Sequence, residues 1–198
     1  MSRRKNVERA KYIEKVIAGL FAKRGYKAVS MREIARTLNV RPSTLYHYFR
    51  GKEEILFRLM EGAMEESLEG LRSLREKDAP PKDKLINMLK FYASYYLEHS
   101  DRLTLLVNEI PSLSQELRDK LVEKEKEFVN LFRTLLEELV KSGEVEGVHP
   151  TPAIFSFFGM IHYTVKWFNP EGSVSPEMLS QQIVKIFTEG IFSKTPRP

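Results

Sequence analysis

Cysteine is absent from all 198 residues. That excludes a disulfide framework, a Cys-based metal site and a thiol nucleophile, and it fits a reducing cytoplasm. No apolar run reaches the roughly 20 residues that a membrane-spanning helix needs. The most apolar stretch, Ala153 to Val165, is interrupted by Ser156 and His162 and ended by Lys166. The opening residues, Met-Ser-Arg-Arg-Lys, are too polar for a secretory leader. Glycine never clusters into a phosphate-cradling loop. The histidines His47, His99, His149 and His162 share no metal-ligand spacing, and no Ser/His/Asp set sits in a supporting motif. No segment alternates with strand period for long enough to argue a sheet. The sequence therefore predicts no cofactor, no metal, no membrane span and no enzyme.

Charge is present but uneven. Residues 1–60 hold 15 Lys and Arg against 5 Asp and Glu, whereas the rest hold 17 against 22, within a net charge of +5. A basic head on an acidic body suits a phosphate-binding module attached to a separate regulatory domain. Arg3, Arg4 and Lys5 precede the first helix as either a DNA-contacting arm or a solvated tail.

The basic head contains the most informative stretch, Val29 to Lys52. Ser30 and Glu33 have the spacing of a capping box, and Val29 and Ile34 that of a hydrophobic staple. Ile34, Ala35 and Leu38 make one apolar face. Asn39 falls where the chain must turn and tolerates the left-handed conformation, with Val40 plugging the turn. Pro42 suits the first turn of a new helix. Leu45 and Phe49 bury one side of that helix, leaving Thr44, Tyr46, His47 and Tyr48 outward. This is a helix-turn-helix. Ahead of it, Tyr12, Ile13, Val16, Ile17, Leu20 and Phe21 recur at helical spacing from Val7 to Arg24, and Gly25 stops that helix.

Past the head the pattern stays helical. Segments run from Gly51 to Lys77, Lys82 to Glu98, Arg102 to Glu109, Ser114 to Ser142, Ala153 to Phe168, and from a Ser175 cap to Phe192. Gly62 and Gly70 weaken the first of these by about 1 kcal/mol each. Lys and Glu alternate around Glu123–Glu127 as a solvated face. Thr151-Pro152 reads as the start of the penultimate helix. The last two helices are too apolar for a free surface, so they are either core or an interface. The sequence thus predicts an all-α protein of about nine helices. A three-helix helix-turn-helix DNA-binding domain occupies 1–51, and a helical effector-binding and dimerisation domain occupies 52–198.

The residues Ser30-Met31-Arg32-Glu33-Ile34-Ala35, Asn39-Val40, Ser43-Thr44-Leu45-Tyr46-His47-Tyr48-Phe49 and Lys52-Glu53-Glu54-Ile55-Leu56 resemble the DNA-binding domain of the TetR family of helix-turn-helix transcriptional regulators. Two positions depart from that pattern: Asn39-Val40 replaces the usual Gly-Val, and Arg41-Pro42 opens the second helix where Ser or Thr is common. The resemblance implies a cytoplasmic regulator, a repressor in the main, that binds a palindromic double-stranded operator as a homodimer. Arg32, Tyr46, Tyr48 and Lys52 are the phosphate candidates. Arg41, Ser43 and Thr44 are the base-edge candidates, because recognition helices read with their N-terminal residues, and His47 shares their surface. Dimerisation through the last two helices places Phe157, Ile161, Val165, Ile183, Phe187 and Ile191 at the interface.

Tyr92, Tyr95, Tyr96, Phe128, Phe132, Phe155, Phe158, His162 and Trp167 are more aromatic surface than bundling requires, and are candidates for a ligand cavity. Each is also explicable as core. Trp167-Phe168-Asn169-Pro170-Glu171-Gly172 resembles the last-helix junction of the fatty-acid and acyl-CoA regulators of the family, which implies a small apolar effector such as a fatty acyl-CoA. Two alternatives stand. One is an efflux regulator answering hydrophobic or cationic drugs, with Glu98 or Glu109 as the acidic partner. The other is a helical DNA-binding adaptor with no effector.

Overall fold

The computed structural model describes the backbone from residue 2 to residue 192 and the side chains from residue 12 to residue 192. Among these residues it is all-helical, with no strand. The helices are α1 (Ser2–Arg24), α2 (Met31–Thr37), α3 (Pro42–Tyr48), α4 (Lys52–Glu76), α5 (Pro81–Glu98), α6 (Ser100–Asn108), α7 (Gln115–Lys141), α8 (Pro150–His162) and α9 (Pro176–Ile191), with short 3-10 turns at Ile110–Ser112 and Tyr163–Lys166. The side chains of Arg3, Arg4 and Lys5 lie outside the described residues.

Two compact units emerge. The first holds residues 1–63 and 101–121, so α6 and the first turns of α7 belong with the helix-turn-helix. The second holds residues 64–100 and 122–198. The boundary expected at residue 51 therefore runs through the first unit. Both α4 and α7 are continuous through the two units.

In the first unit α1 ends at Gly25, whose φ of +80° suits glycine, and the Gly25 amide donates to the Phe21 carbonyl at 2.9 Å. Ile17, Phe21, Ile34, Leu45, Ile55 and Leu56 are buried together in that unit's core. Tyr12 departs from the predicted stripe and is exposed. Ser30 caps α2, its Oγ accepting the Glu33 amide at 3.2 Å. The other half of the expected capping box does not form, because the Glu33 carboxylate turns to Arg24 instead. Asn39 takes φ +54°, and the next amide, of Val40, donates to the Ala35 carbonyl at 2.9 Å. α6 lies against α1: a Cβ at Gly19 would come within 3.0 Å of the Asp101 carboxylate.

The second unit is built on α5. α9 runs along α5, and α8 packs against both. Leu85, Met88, Leu89, Tyr92 and Tyr96 give α5 its buried side. α8 begins two residues earlier than Thr151-Pro152 suggests. His149 is its cap, with Nδ1 accepting the Thr151 amide at 3.3 Å, and Pro150 opens the helix. Ser175 caps α9 as expected from its position, accepting the Met178 amide at 3.1 Å. The Lys/Glu face of α7 is not simply solvated. Arg72 of α4 holds Glu127 through two hydrogen bonds, at 2.6 and 2.8 Å, and also reaches Glu65, which Lys124 pairs from α7. These side chains are only half-covered, so such pairs add little stability beyond fixing the α4–α7 register.

Gly70 is not a weak point in α4. A side chain there would overlap the Phe91 ring of α5, so glycine permits the close approach of the two helices. Gly70→Ala is expected to lower stability by about 1 kcal/mol or more in urea unfolding, through overpacking, despite alanine's better helix propensity. In a Phe91→Ala background the same substitution should become stabilising. A gain in both backgrounds would show that the ring yields at no cost.

Candidate functional site

The exposed face of α3 is short and polar. Seven residues are fixed by the left-handed turn at Asn39 before them and by Pro42 at the first helical position. Leu45 is buried beneath, and Phe49 is half-buried. Arg41, Ser43, Tyr46, His47 and Tyr48 are exposed, and Thr44 is half-buried beside them. Arg32 of α2 is exposed as well. Arg36 is a further exposed cation on α2, its side chain 79% accessible. Its helical position between Arg32 and the turn signalled it, but attention to α3 passed it over.

Lys52 departs from its expected role. Its ammonium donates to the carbonyls of Tyr26 and Val29 at 2.8 Å each, with a longer bond to Lys27 at 3.4 Å, and lies 4.2 Å from the centre of the Tyr26 ring. An ammonium has three N–H donors, and the turn between α1 and α2 takes them. Lys52 therefore ties α4 to the helix-turn-helix rather than facing a phosphate. The next residue does the same in another direction: the Glu53 carboxylate accepts the Ser114 amide at 2.5 Å, just ahead of α7. Neither role is visible in the sequence, because both partners are distant along the chain.

An open cleft of about 750 Å³ lies in the same unit, bordered by Tyr46, Tyr48, Arg58, Glu61, Leu117 and Lys120. Much of its charge is already paired, Glu54 with Arg58 and Glu116 with Lys120.

The aromatics of the second unit do converge. The Tyr92 ring lies 4.7 Å from Tyr96, 5.0 Å from Phe158, 5.8 Å from Phe128 and 5.9 Å from Phe132, centre to centre. Its hydroxyl is 2.9 Å from His162 Nε2. Burial, reinforced by Tyr96 and Glu125, holds the phenol well above its usual range, and burial pushes the His162 imidazole down. Both are therefore neutral near pH 7. Tyr95 stands beside this cluster, against Tyr96 and His99, and donates its hydroxyl to Glu66 at 2.9 Å. Phe155 meets the cluster's rim edge-on at Phe158, 6.4 Å away, and is 56% exposed, and Trp167 is 57% exposed. Trp167 precedes a tight turn in which the Asn169 carbonyl accepts the Gly172 amide at 2.9 Å and its side chain accepts the Glu171 amide at 3.1 Å. Two features were missed. Ser67 is fully buried with its hydroxyl unpartnered. The carboxylates beside the aromatics are Glu66 and Glu125 rather than Glu98 or Glu109.

The expected dimer residues require correction. Phe157, Ile161, Ile183, Phe187 and Ile191 are buried within the single chain, and Val165 is half-buried. α8 and α9 pack on α5 and on each other, Phe157 of α8 lying 5.2 Å from Phe187 of α9. The outward apolar residues are instead Phe155 and Tyr163 on α8 and its continuation, and Met178 and Ile186 on α9. Periodicity locates a stripe but cannot say whether the chain itself or a second copy covers it.

Among the described residues no cluster of side chains could hold a metal ion, and no helix is long and apolar enough to cross a membrane.

A short exposed helix set on a fixed turn, joined to a helical body with an aromatic interior, defines the class of helix-turn-helix transcriptional regulators. The family model for "Bacterial regulatory proteins, tetR family" matches residues 15–59, and that for "Tetracyclin repressor-like, C-terminal domain" matches residues 78–191, more than half of the chain. The chain belongs to the tetR family and is a DNA-binding regulator, not an enzyme. It is 28% identical to the fatty acid metabolism regulator protein of Bacillus subtilis, over 94% of this chain and 98% of that one. The TetR-family regulator PfmR of Thermus thermophilus superposes with a TM-score of 0.82 at 27% identity, covering 88% of this chain and 96% of the other. AibR in complex with isovaleryl coenzyme A and operator DNA gives 0.78 at 27% identity, covering 92% and 97%.

Lys52→Ala is expected to destabilise the head by about 2 kcal/mol, the scale of charge-assisted hydrogen bonds lost from two half-buried carbonyls. Thermal unfolding reads this directly. A variant as stable as the parent, but with a salt dependence of operator binding reduced by about one unit, would return Lys52 to the phosphates.

Proposed function

We propose that the protein is a repressor that binds a palindromic operator as a homodimer and is released by an elongated apolar effector, a fatty acyl-CoA. The observation carrying the DNA-binding part is the exposed, polar face of α3 on a strongly basic head. Arg41, Ser43 and Thr44 read base edges, while Arg32, Arg36, Tyr46, His47 and Tyr48 meet the backbone beside them. The dimer forms through the outward faces of α8 and α9, where Phe155, Tyr163, Met178 and Ile186 are apolar and exposed and where Gly159 leaves open space for a second helix. Dimerisation also allows two α3 helices to reach successive major grooves.

The acyl-CoA reading is supported by the aromatic interior and by the names of two similar proteins, a regulator of fatty acid metabolism and one in complex with an acyl coenzyme A. A second reading is favoured by Glu66, half-buried and bonded to the Tyr95 hydroxyl, and by the exposed Glu125 near Tyr92, since carboxylates beside rings suit a cationic drug. In either case the effector must bind more tightly to the conformation that cannot hold the operator, because equal affinity for both shifts nothing.

Ile186→Glu is expected to yield a folded monomer by sedimentation and to abolish operator binding. Phe187→Glu, one residue on but buried, should fail to fold instead. If the parent protein sediments as a monomer at micromolar concentration, this dimer face is wrong. For the effector, operator release is titrated with acyl-CoAs of increasing chain length beside a panel of cationic dyes. Release by acyl-CoAs alone is the expected result, and release by dyes alone selects the second reading.

A further inference from the structure

Within the aromatic cluster of the second unit the Tyr92 hydroxyl meets His162 Nε2 at 2.9 Å. Tyr92 is enclosed and His162 half-buried. Tyr92 is only 4% exposed, and the Phe158 ring lies parallel to the His162 ring, 6.0 Å away with 8° between the planes. A stabilising bundle has no need of a polar pair here, since two apolar side chains of the same shape would pack as well.

The chemistry of the pair is specific. A neutral phenol and a neutral imidazole carry one O–H and one N–H between them. Their mutual hydrogen bond uses one of these donors, whichever tautomer is present, and leaves the other for a third group. The pair therefore offers a hydrogen-bond donor without offering charge. The Glu125 carboxylate helps to hold the Tyr92 phenol above its usual range. An anion placed there would lose its hydration beside a like charge. An uncharged acceptor would not.

We infer that Tyr92 and His162 form an uncharged clasp that reads the carbonyl oxygen beside the effector's acyl chain, selecting a thioester over a free carboxylate. The clasp rests on the acyl-CoA reading above and adds the atom by which the acyl group is recognised. The aromatic rings supply apolar surface for the chain, and the clasp sets its depth.

The test compares hexadecanoyl-CoA with its S-hexadecyl thioether analogue, which lacks the carbonyl, by calorimetry on the full-length protein. The parent should bind the thioester about fivefold or more tightly than the thioether, the scale of one net hydrogen bond. Tyr92→Phe, which keeps the ring, should erase that ratio. His162→Phe should do the same and guards against a fold defect peculiar to one variant. Methyl hexadecanoate should bind more tightly than hexadecanoate at neutral pH. Equal binding of thioester and thioether by the parent would overturn the clasp alone, as would a ratio that survives both substitutions or a preference for the free acid. Binding of neither coenzyme A compound would overturn the acyl reading and the clasp with it.

Discussion

The geometry of the head depends on the ammonium of Lys52. It donates at short range to two half-buried backbone carbonyls of the turn between α1 and α2, those of Tyr26 and Val29, and at longer range to the exposed carbonyl of Lys27. Burying such carbonyls unpaired is costly. One side chain from the first residue of α4 serves all three, and in doing so fixes where α4 starts relative to the helix-turn-helix. Glu53, its neighbour, uses its opposite charge to hold the amide ahead of α7. Two adjacent residues thus anchor α4 to two parts of the same unit.

The second unit has a different logic. Its order comes from interlocking rings and from glycine at the point of closest approach, Gly70 against Phe91. The charged contacts around Arg72 sit at the surface of that packing and set register more than energy. A core this aromatic is built from rings that meet edge-on and at a tilt. Tyr92 touches most of the others. A change at that residue is therefore felt across α5, α7 and α8.

Much of this was legible in the sequence, and the failures share a cause. Local rules worked where the partner is a few residues away: the Ser30 and Ser175 caps, the stop at Gly25, the left-handed Asn39 and the helical spans. They failed where the partner is far along the chain. Lys52 looked like a phosphate ligand because its position at a helix start is local information, while the carbonyls it serves lie more than twenty residues earlier. The Glu123–Glu127 face looked solvated because Arg72 is not in view. The stripes of α8 and α9 were found, but not which stripe meets α5, because a helix periodic in one direction says nothing about its neighbours. Most of the aromatics converge in the second unit, while Phe155 and Trp167 are exposed, which spacing alone does not tell apart.

The side chains of Arg41, Ser43, Tyr46, His47 and Tyr48 make no hydrogen bond or ion pair among the described residues, and nothing in the interior leans on them. Leu45, Asn39 and Lys52 bear the structural duties around them. The outward and the structural positions are consequently separate letters of the same short segment. Under the proposed reading, operator preference could be altered at the outward positions without disturbing the fold beneath them.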